Sequence, residues 1–148
     1  MQQFDIFDNH IMQEKQVIIL RKDLSMRKGK MIAQGSHASI KVILDMMETK
    51  IKSRFPSGEL IIRTLTLNKE DPINKWLTDK FTKITVYCNS EEELIDLKNK
   101  ADVANLPNAM ITDVGLTEFN NVPTKTCLAI GPGNSAQIDK ITSHLKLL

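Results

Sequence analysis

Aromatic side chains are scarce in this 148-residue chain, at 5% of residues with one tryptophan and one tyrosine. That scarcity excludes binding of single-stranded nucleic acid through a row of stacked bases, which needs aromatic platforms. Cysteine is equally thin. Cys88 and Cys127 each sit in a strand-like run without the close Cys or His neighbour that zinc spacing requires, so two buried, reduced thiols are expected and no metal site. No apolar run approaches the length that crosses a bilayer, and residues 1–15 lack the continuous apolar stretch of a secretory signal. A soluble, intracellular protein with no membrane association is therefore expected. Around Lys28, Gly29 and Lys30 the spaced glycines and the trailing Ser or Thr of a nucleotide-binding P-loop are missing, which sets aside a nucleotide triphosphatase.

A large excess of one charge is also missing, since the formal net charge is only +2. The charge that is present is uneven. Residues 21–30 carry Arg21, Lys22, Arg27, Lys28 and Lys30 against Asp23 alone. Such a cluster is either a solvated face or a phosphate-binding one, and composition leaves both open. With 41% hydrophobic residues, the chain can fill one ordinary core and not two, so a single domain is expected.

Periodicity supplies the elements. QVIILR, residues 16–21, is a nearly continuous β-branched run that suits a strand covered on both faces. Residues 30 to about 48 have helical spacing, with Met31, Ala38 and Val42 on one apolar row and Ala33, Ile40, Leu44 and Met47 on the next. The opposite stripe is polar: Lys30, Gln34, His37 and Lys41. Residues 50–70 are ambiguous between strand, helix continuation and packing loop, with a turn at Pro56, Ser57 and Gly58. Asp71 and Pro72 predict a capped short helix carrying Trp76, and TKITVYC, residues 82–88, predicts a strand. Ser90 and Glu93 form a capping box for a helix with Leu94, Leu97, Ala101 and Ala104 inward. Two strands, Ala109–Thr112 and Thr126–Ile130, and a final helix over residues 135–143 complete the order. Alternating strands and helices predict a three-layer α/β fold, with helices on both faces of a mixed, mostly parallel four-stranded sheet. Ligands gather at the carboxyl ends of parallel strands in such sheets. The KGK loop lies there, and so does Asp113 if its strand runs parallel to the first.

Taken singly, the polar residues have ordinary explanations. Cations at the positive end of a helix are slightly unfavourable, so Lys28 and Lys30 need a reason, and an anion docking on the first-turn amides would be one. His37 alone is more often a hydrogen-bonded structural histidine than a catalyst, and Asp113 before Gly115 commonly stabilises a turn.

Taken together, VIILRKDLSMRKGKMIAQGSHAS, TDVGLTE, TKTCLAIGP and IDKITSHLKLL stand in an order and spacing that resemble the type II, archaeal and eukaryotic, peptidyl-tRNA hydrolase family. The resemblance covers about residues 15–148 and is weakest over 49–81. It leaves residues 1–14 as an N-terminal extension, expected to be flexible, ahead of the hydrolase-like domain at 15–148. It implies hydrolysis of the ester between a peptide and the terminal ribose of tRNA, with no metal and no organic cofactor. It also places the family's functional lysine on Lys30, its helix histidine on His37, the aspartate and threonine of its DxGxT motif on Asp113 and Thr117, and a further threonine on Thr126. Arg21, Lys22, Arg27 and Lys28 would meet tRNA phosphates, with Gln34 also on the substrate side. Val114, where the family commonly has alanine, Ser39 in a stretch often written HAA, and residues 51–75 depart from the pattern. Two other readings stay open: a noncatalytic RNA-binding module of the same fold, and a homodimer using the helix stripe as its interface.

Overall fold

Burial on both faces explains why the first strand reads as an unbroken apolar run: β1 (Glu14–Arg21) is buried from Gln16 to Arg21. The computed structural model describes residues 13–53 and 58–148, so the expected extension lies outside the described residues except for its last two, and Glu14 already opens β1. A 3₁₀ turn, Lys22–Leu24, leads into α1 (Lys28–Asp45). β2 (Glu48–Ser53) and β3 (Glu59–Thr64) follow, then α2 (Pro72–Thr78), β4 (Lys83–Cys88) and α3 (Glu91–Val103). The chain ends through β5 (Asn108–Asp113), β6 (Thr124–Asn134), α4 (Ser135–Thr142) and β7 (Lys146–Leu147).

The sheet corrects the sequence expectation in two respects. It has five strands in the order β5-β6-β1-β4-β7, not four. Only β1 and β4 pair in parallel, whereas β1 with β6, β5 with β6, and β4 with β7 pair antiparallel, so the ladders are mostly antiparallel. The cause is β6, which returns directly from β5 and runs between β5 and β1, giving each an antiparallel neighbour. Two residues of β7 are too few to register as a period. Two antiparallel steps cancel in direction, so β5 points the same way as β1. Asp113, the last residue of β5, therefore lies at the same sheet edge as Arg21, the last residue of β1.

The ambiguous stretch after α1 forms a separate two-stranded ribbon, with Ile51 opposite Ile61 and Lys50 opposite Ile62. The Ser90 capping box forms as expected, with Ser90 Oγ accepting from Glu93 N at 3.1 Å and Glu93 Oε2 accepting from Asn89 N at 2.9 Å. Asp71 does not cap α2 through its side chain; its carboxylate turns back to accept from Asn68 N at 2.8 Å.

Helices cover both faces. Val17, Ile19, Leu128 and Ile130 pack against Leu94, Leu97 and Ala101 of α3 and Ile138 and Ile141 of α4. Ile18, Leu20, Ala109, Cys127 and Ala129 pack against Ala38 and Val42 of α1. Complete burial of side chains such as Leu94 or Ile138 contributes about 1.5–3 kcal/mol each. Small residues on the second face bring α1 close to the sheet. Gly35 faces the sheet here, and a Cβ at that position would already be in van der Waals contact with Ile18 Cγ2, at 3.4 Å. Both cysteines are free and buried, and burial pushes the Cys88 thiol up to about 11 and the Cys127 thiol up to about 12, so neither is a ready nucleophile. Among the described residues no helix is long and apolar enough to cross a membrane.

Candidate active site

α1 begins without help from its own sequence. Arg27 occupies the capping position, no acidic residue stands in the first turn, and Lys28 and Lys30 add positive charge where the helix end is already positive. The compensation comes from the loop between β5 and β6. Lys30 Nζ lies 2.6 Å from Asp113 Oδ2, both side chains being only 13% exposed, and it also donates to Thr117 Oγ1 at 3.1 Å. Glu118 supplies the second carboxylate, accepting from Arg27 Nε at 2.8 Å and from Arg27 N at 3.4 Å. The small-residue face of α1 thus presses on the sheet so that its polar stripe reaches the carboxyl edge.

Behind the ion pair stands a buried relay. Gln34 Nε2 donates to Asp113 Oδ2 at 3.0 Å, and the hydroxyl of Thr126, which is wholly buried in β6, donates to Gln34 Oε1. That second bond fixes which end of the Gln34 amide faces Asp113. The other carboxylate oxygen, Asp113 Oδ1, accepts from Gly115 N at 2.8 Å. The Lys30 hydrogen bond, aided by the Gly115 amide and Gln34, holds the Asp113 carboxyl below its ordinary range against the opposing effect of burial. It is therefore ionised at neutral pH. Gly115 is required here by its conformation, with φ of 87° and a would-be Cβ only 2.4 Å from Val122 O. The loop is tied across its neck by Asn121 N donating to Gly115 O at 2.9 Å.

This arrangement has the parts of a hydrolytic site. Asp113 is a carboxylate with lone pairs left for a water, Lys30 uses two of its three N–H donors inside the cluster and retains one, and Thr117 offers an exposed hydroxyl. Among the described residues no grouping of His, Cys, Asp and Glu could hold a metal ion.

Comparison with known proteins settles the relationship. The family profile described as "Peptidyl-tRNA hydrolase PTH2" matches residues 14–148. The chain belongs to that family. It is 42% identical to the peptidyl-tRNA hydrolase of Methanocaldococcus jannaschii over 90% of this chain and 99% of that protein. It is 35% identical to the protein of the same name from Thermococcus onnurineus, over 90% of this chain and 97% of the other. With the Methanopyrus kandleri protein, also a peptidyl-tRNA hydrolase, identity is 36% over the same shares.

In this PTH2 protein the structure brings together Lys30, Gln34, Asp113, Thr117 and Thr126, and leaves other sequence candidates apart. His37, three residues beyond Gln34, is exposed, and among the described residues nothing hydrogen-bonds its imidazole. The helical stripe divides at that point, because Asp113 bonds Lys30 and Gln34 and, among the described residues, nothing further along α1. Lys41 pairs with Asp45 at 2.8 Å instead. Gln34, expected on the substrate side, is buried and hydrogen-bonded to Asp113, so it does not reach the surface.

The five basic residues also separate. Arg21 points to the opposite face of the sheet, where it pairs with Asp23 at 2.6 Å and Glu91 at 3.2 Å and donates to Lys125 O at 3.0 Å. Alternation along β1 turns it away from α1. Lys22, Arg27 and Lys28 are exposed, with Lys22 Nζ 4.2 Å from the Tyr87 ring centre. Sequence reading passed over Glu118 and Phe119. Glu118 stands inside TDVGLTE, yet nothing local signals that it reaches back 91 positions to Arg27. Phe119 places its ring centre 5.5 Å from Lys30 Nζ and forms an apolar wall beside the cluster.

Proposed function

We propose that this protein hydrolyses the ester joining a peptide to the 3′-terminal ribose of tRNA, with Lys30, Asp113 and Thr117 as the catalytic residues. The observation that carries the reading is the single ammonium of Lys30 within hydrogen-bond reach of both the Asp113 carboxylate and the Thr117 hydroxyl. Family membership and three relatives named peptidyl-tRNA hydrolase support the substrate class. In this reaction a water hydrogen-bonded to Asp113 and Thr117 attacks the ester carbonyl, and Asp113 takes its proton. The third N–H of Lys30 stabilises the oxyanion as it develops. Collapse releases the 3′-oxygen of the ribose, which takes up the proton, and the peptide leaves with a free carboxyl group. Water is the only co-reactant. Thr126 and Gln34 are positioning residues that hold Asp113 in one orientation.

Lys22, Arg27 and Lys28 serve as contacts for tRNA phosphates, giving affinity independent of base sequence. Arg21 is outside this set, since its guanidinium is buried and occupied. His37 remains at the outer end of the stripe, where it can meet substrate only from solvent. The reaction belongs in the cytoplasm, where translation produces peptidyl-tRNA. Every group in the mechanism comes from one chain, and the Lys30 and Gln34 part of the stripe is filled by Asp113, so a homodimer would have to use another face.

Incubating the purified protein with a peptidyl-tRNA and following free tRNA tests this directly. Release that disappears in Asp113→Asn supports it. Tight tRNA binding without release by the unaltered protein would establish the noncatalytic RNA-binding alternative.

A further inference from the structure

β2 and β3 form a two-stranded sheet of their own, and every described side chain on it is exposed. Ile51 is 63% exposed, Leu60 56% and Ile61 57%. A lone hairpin is at best marginally stable in water and needs further strands or a packed face to hold it. This one carries apolar side chains on both faces. Ile51 lies opposite Ile61 on one, whereas Ile62 and Leu60 lie opposite Lys50 and Lys52 on the other. Each strand has a single neighbour among the described residues, so each presents an open edge. The proposed chemistry uses none of this. The ribbon follows the far end of α1, an 18-residue helix about 27 Å long whose first turn holds Lys30.

The open edge of β3 is its own complement. The strand runs Glu59, Leu60, Ile61, Ile62, Arg63, Thr64. Set antiparallel to a second copy of itself with Ile61 on the twofold axis, Glu59 falls opposite the second copy's Arg63 and Leu60 opposite its Ile62. Symmetry repeats both pairs, and Ile61 meets its counterpart. Opposite charges and aliphatic pairs directly across a ladder are favourable. Glu59 and Arg63 have no ion-pair partner among the described residues, and Arg63 reaches only Thr49 Oγ1, at 3.4 Å. Other registers do worse. Turned about Ile62, β3 loses both ion pairs, and β2 turned about Ile51 would set Lys50 against the second copy's Lys52. The aliphatic side chains have nothing to offer a phosphate backbone, so a second copy fits this edge better than tRNA does.

We propose that the protein dimerises through β3, joining two ribbons into one four-stranded sheet in which the two copies of β3 lie side by side. One face then carries a row of four isoleucines, Ile51 and Ile61 from each copy, between two ion pairs of Glu59 with Arg63. The other face gathers Leu60 and Ile62 of both copies between the lysines of the outer strands. Six residues a side make a small interface, at the reversible end of the size range, with a dissociation constant on the order of 10 µM. The proposal stands apart from the hydrolase reading, because no residue of the ribbon belongs to the site or to its phosphate contacts.

Sedimentation equilibrium of the full chain tests it. Between about 1 µM and about 300 µM the average mass should rise from that of one chain towards that of two. Glu59→Arg alone and Arg63→Glu alone each set like charges opposite one another twice, and each should remain a single chain at about 300 µM. An equimolar mixture of these two variants restores both ion pairs between unlike chains and should dimerise as the unaltered protein does. The double variant Glu59→Arg/Arg63→Glu should do the same. Mixing cannot rescue a ribbon that a substitution has merely unfolded, so recovery in the mixture reports the proposed register. A single chain at every concentration of the unaltered protein overturns the proposal, as does a dimer that both single variants keep or a mixture that stays unpaired. Weaker tRNA binding by Arg63→Glu, beside an unaltered protein that never dimerises, would assign the ribbon to RNA instead.

Discussion

Replacing Lys30 by alanine separates what the ion pair does for the fold from what it does for turnover. Asp113 accepts three hydrogen bonds, and the substitution removes one, leaving Gln34 Nε2 at 3.0 Å and Gly115 N at 2.8 Å. Breaking a fully buried pair costs roughly 3–5 kcal/mol and an exposed one about 0–1 kcal/mol. A pair at the mouth of a site, with both side chains 13% exposed and two bonds remaining, falls between these, at roughly 1–2 kcal/mol. In a chain of this size that lowers the melting temperature by roughly 3–6 °C, so the protein stays folded at 25 °C. Turnover should fall roughly 100-fold or more, because the oxyanion loses its charged donor. The pH profile supplies the sign. Asp113 is held low chiefly by Lys30, so its contribution is present above the ordinary carboxylate range and is lost as pH falls through its lowered folded value. Without Lys30 that value rises, and the acid limb of kcat should move to higher pH. Single-turnover release of tRNA from peptidyl-tRNA, measured across pH beside a thermal melt, reads both effects. Turnover within threefold of the unaltered protein in a folded Lys30→Ala variant would refute the reasoning.

Thr126→Val should lower kcat roughly tenfold with little change in KM, since it frees the Gln34 amide to turn without touching the surface, and Thr126→Ser should restore it; an unchanged kcat in Thr126→Val removes the relay from the mechanism. Gly115→Ala should abolish turnover by displacing the Asp113 loop, as its Cβ would meet Val122 O at 2.4 Å, which amide exchange over residues 113–123 would reveal. Arg21→Ala should destabilise the protein by roughly 2–3 kcal/mol and leave the salt dependence of tRNA binding intact, whereas Lys28→Ala should reduce that salt slope by about one and spare stability; filter binding over a salt series and chemical denaturation distinguish them. His37→Ala should keep turnover within about threefold, since no partner ties the exposed ring to Asp113 among the described residues, and a larger loss would bring His37 back into the site.

Local pattern determined a good deal of this protein. The β-branched run of β1, the 3.6-residue period of α1 and the Ser90 capping box are interactions between near neighbours, so they are readable without the fold. The resemblance to the family likewise pointed to Lys30, His37, Asp113, Thr117 and Thr126, of which the fold links all but His37 by hydrogen bonds. Pairing direction was not readable in the same way. It depends on where β6 inserts, and an antiparallel ladder on both its sides leaves no distinctive mark in residues 124–134. Side-chain direction was also a tertiary decision. Arg21 and Lys22 are adjacent in a basic run, yet the first closes β1 and is buried against Asp23 and Glu91, whereas the second opens the 3₁₀ turn and lies in solvent. Along α1, Lys30 and Gln34 join the site while His37 does not, because a helix stripe continues indefinitely but the loop holding Asp113 meets it at one point. Glu118 shows the limit most clearly: only the closed loop at Gly115 brings its carboxylate to the helix end that Arg27, Lys28 and Lys30 leave without negative charge.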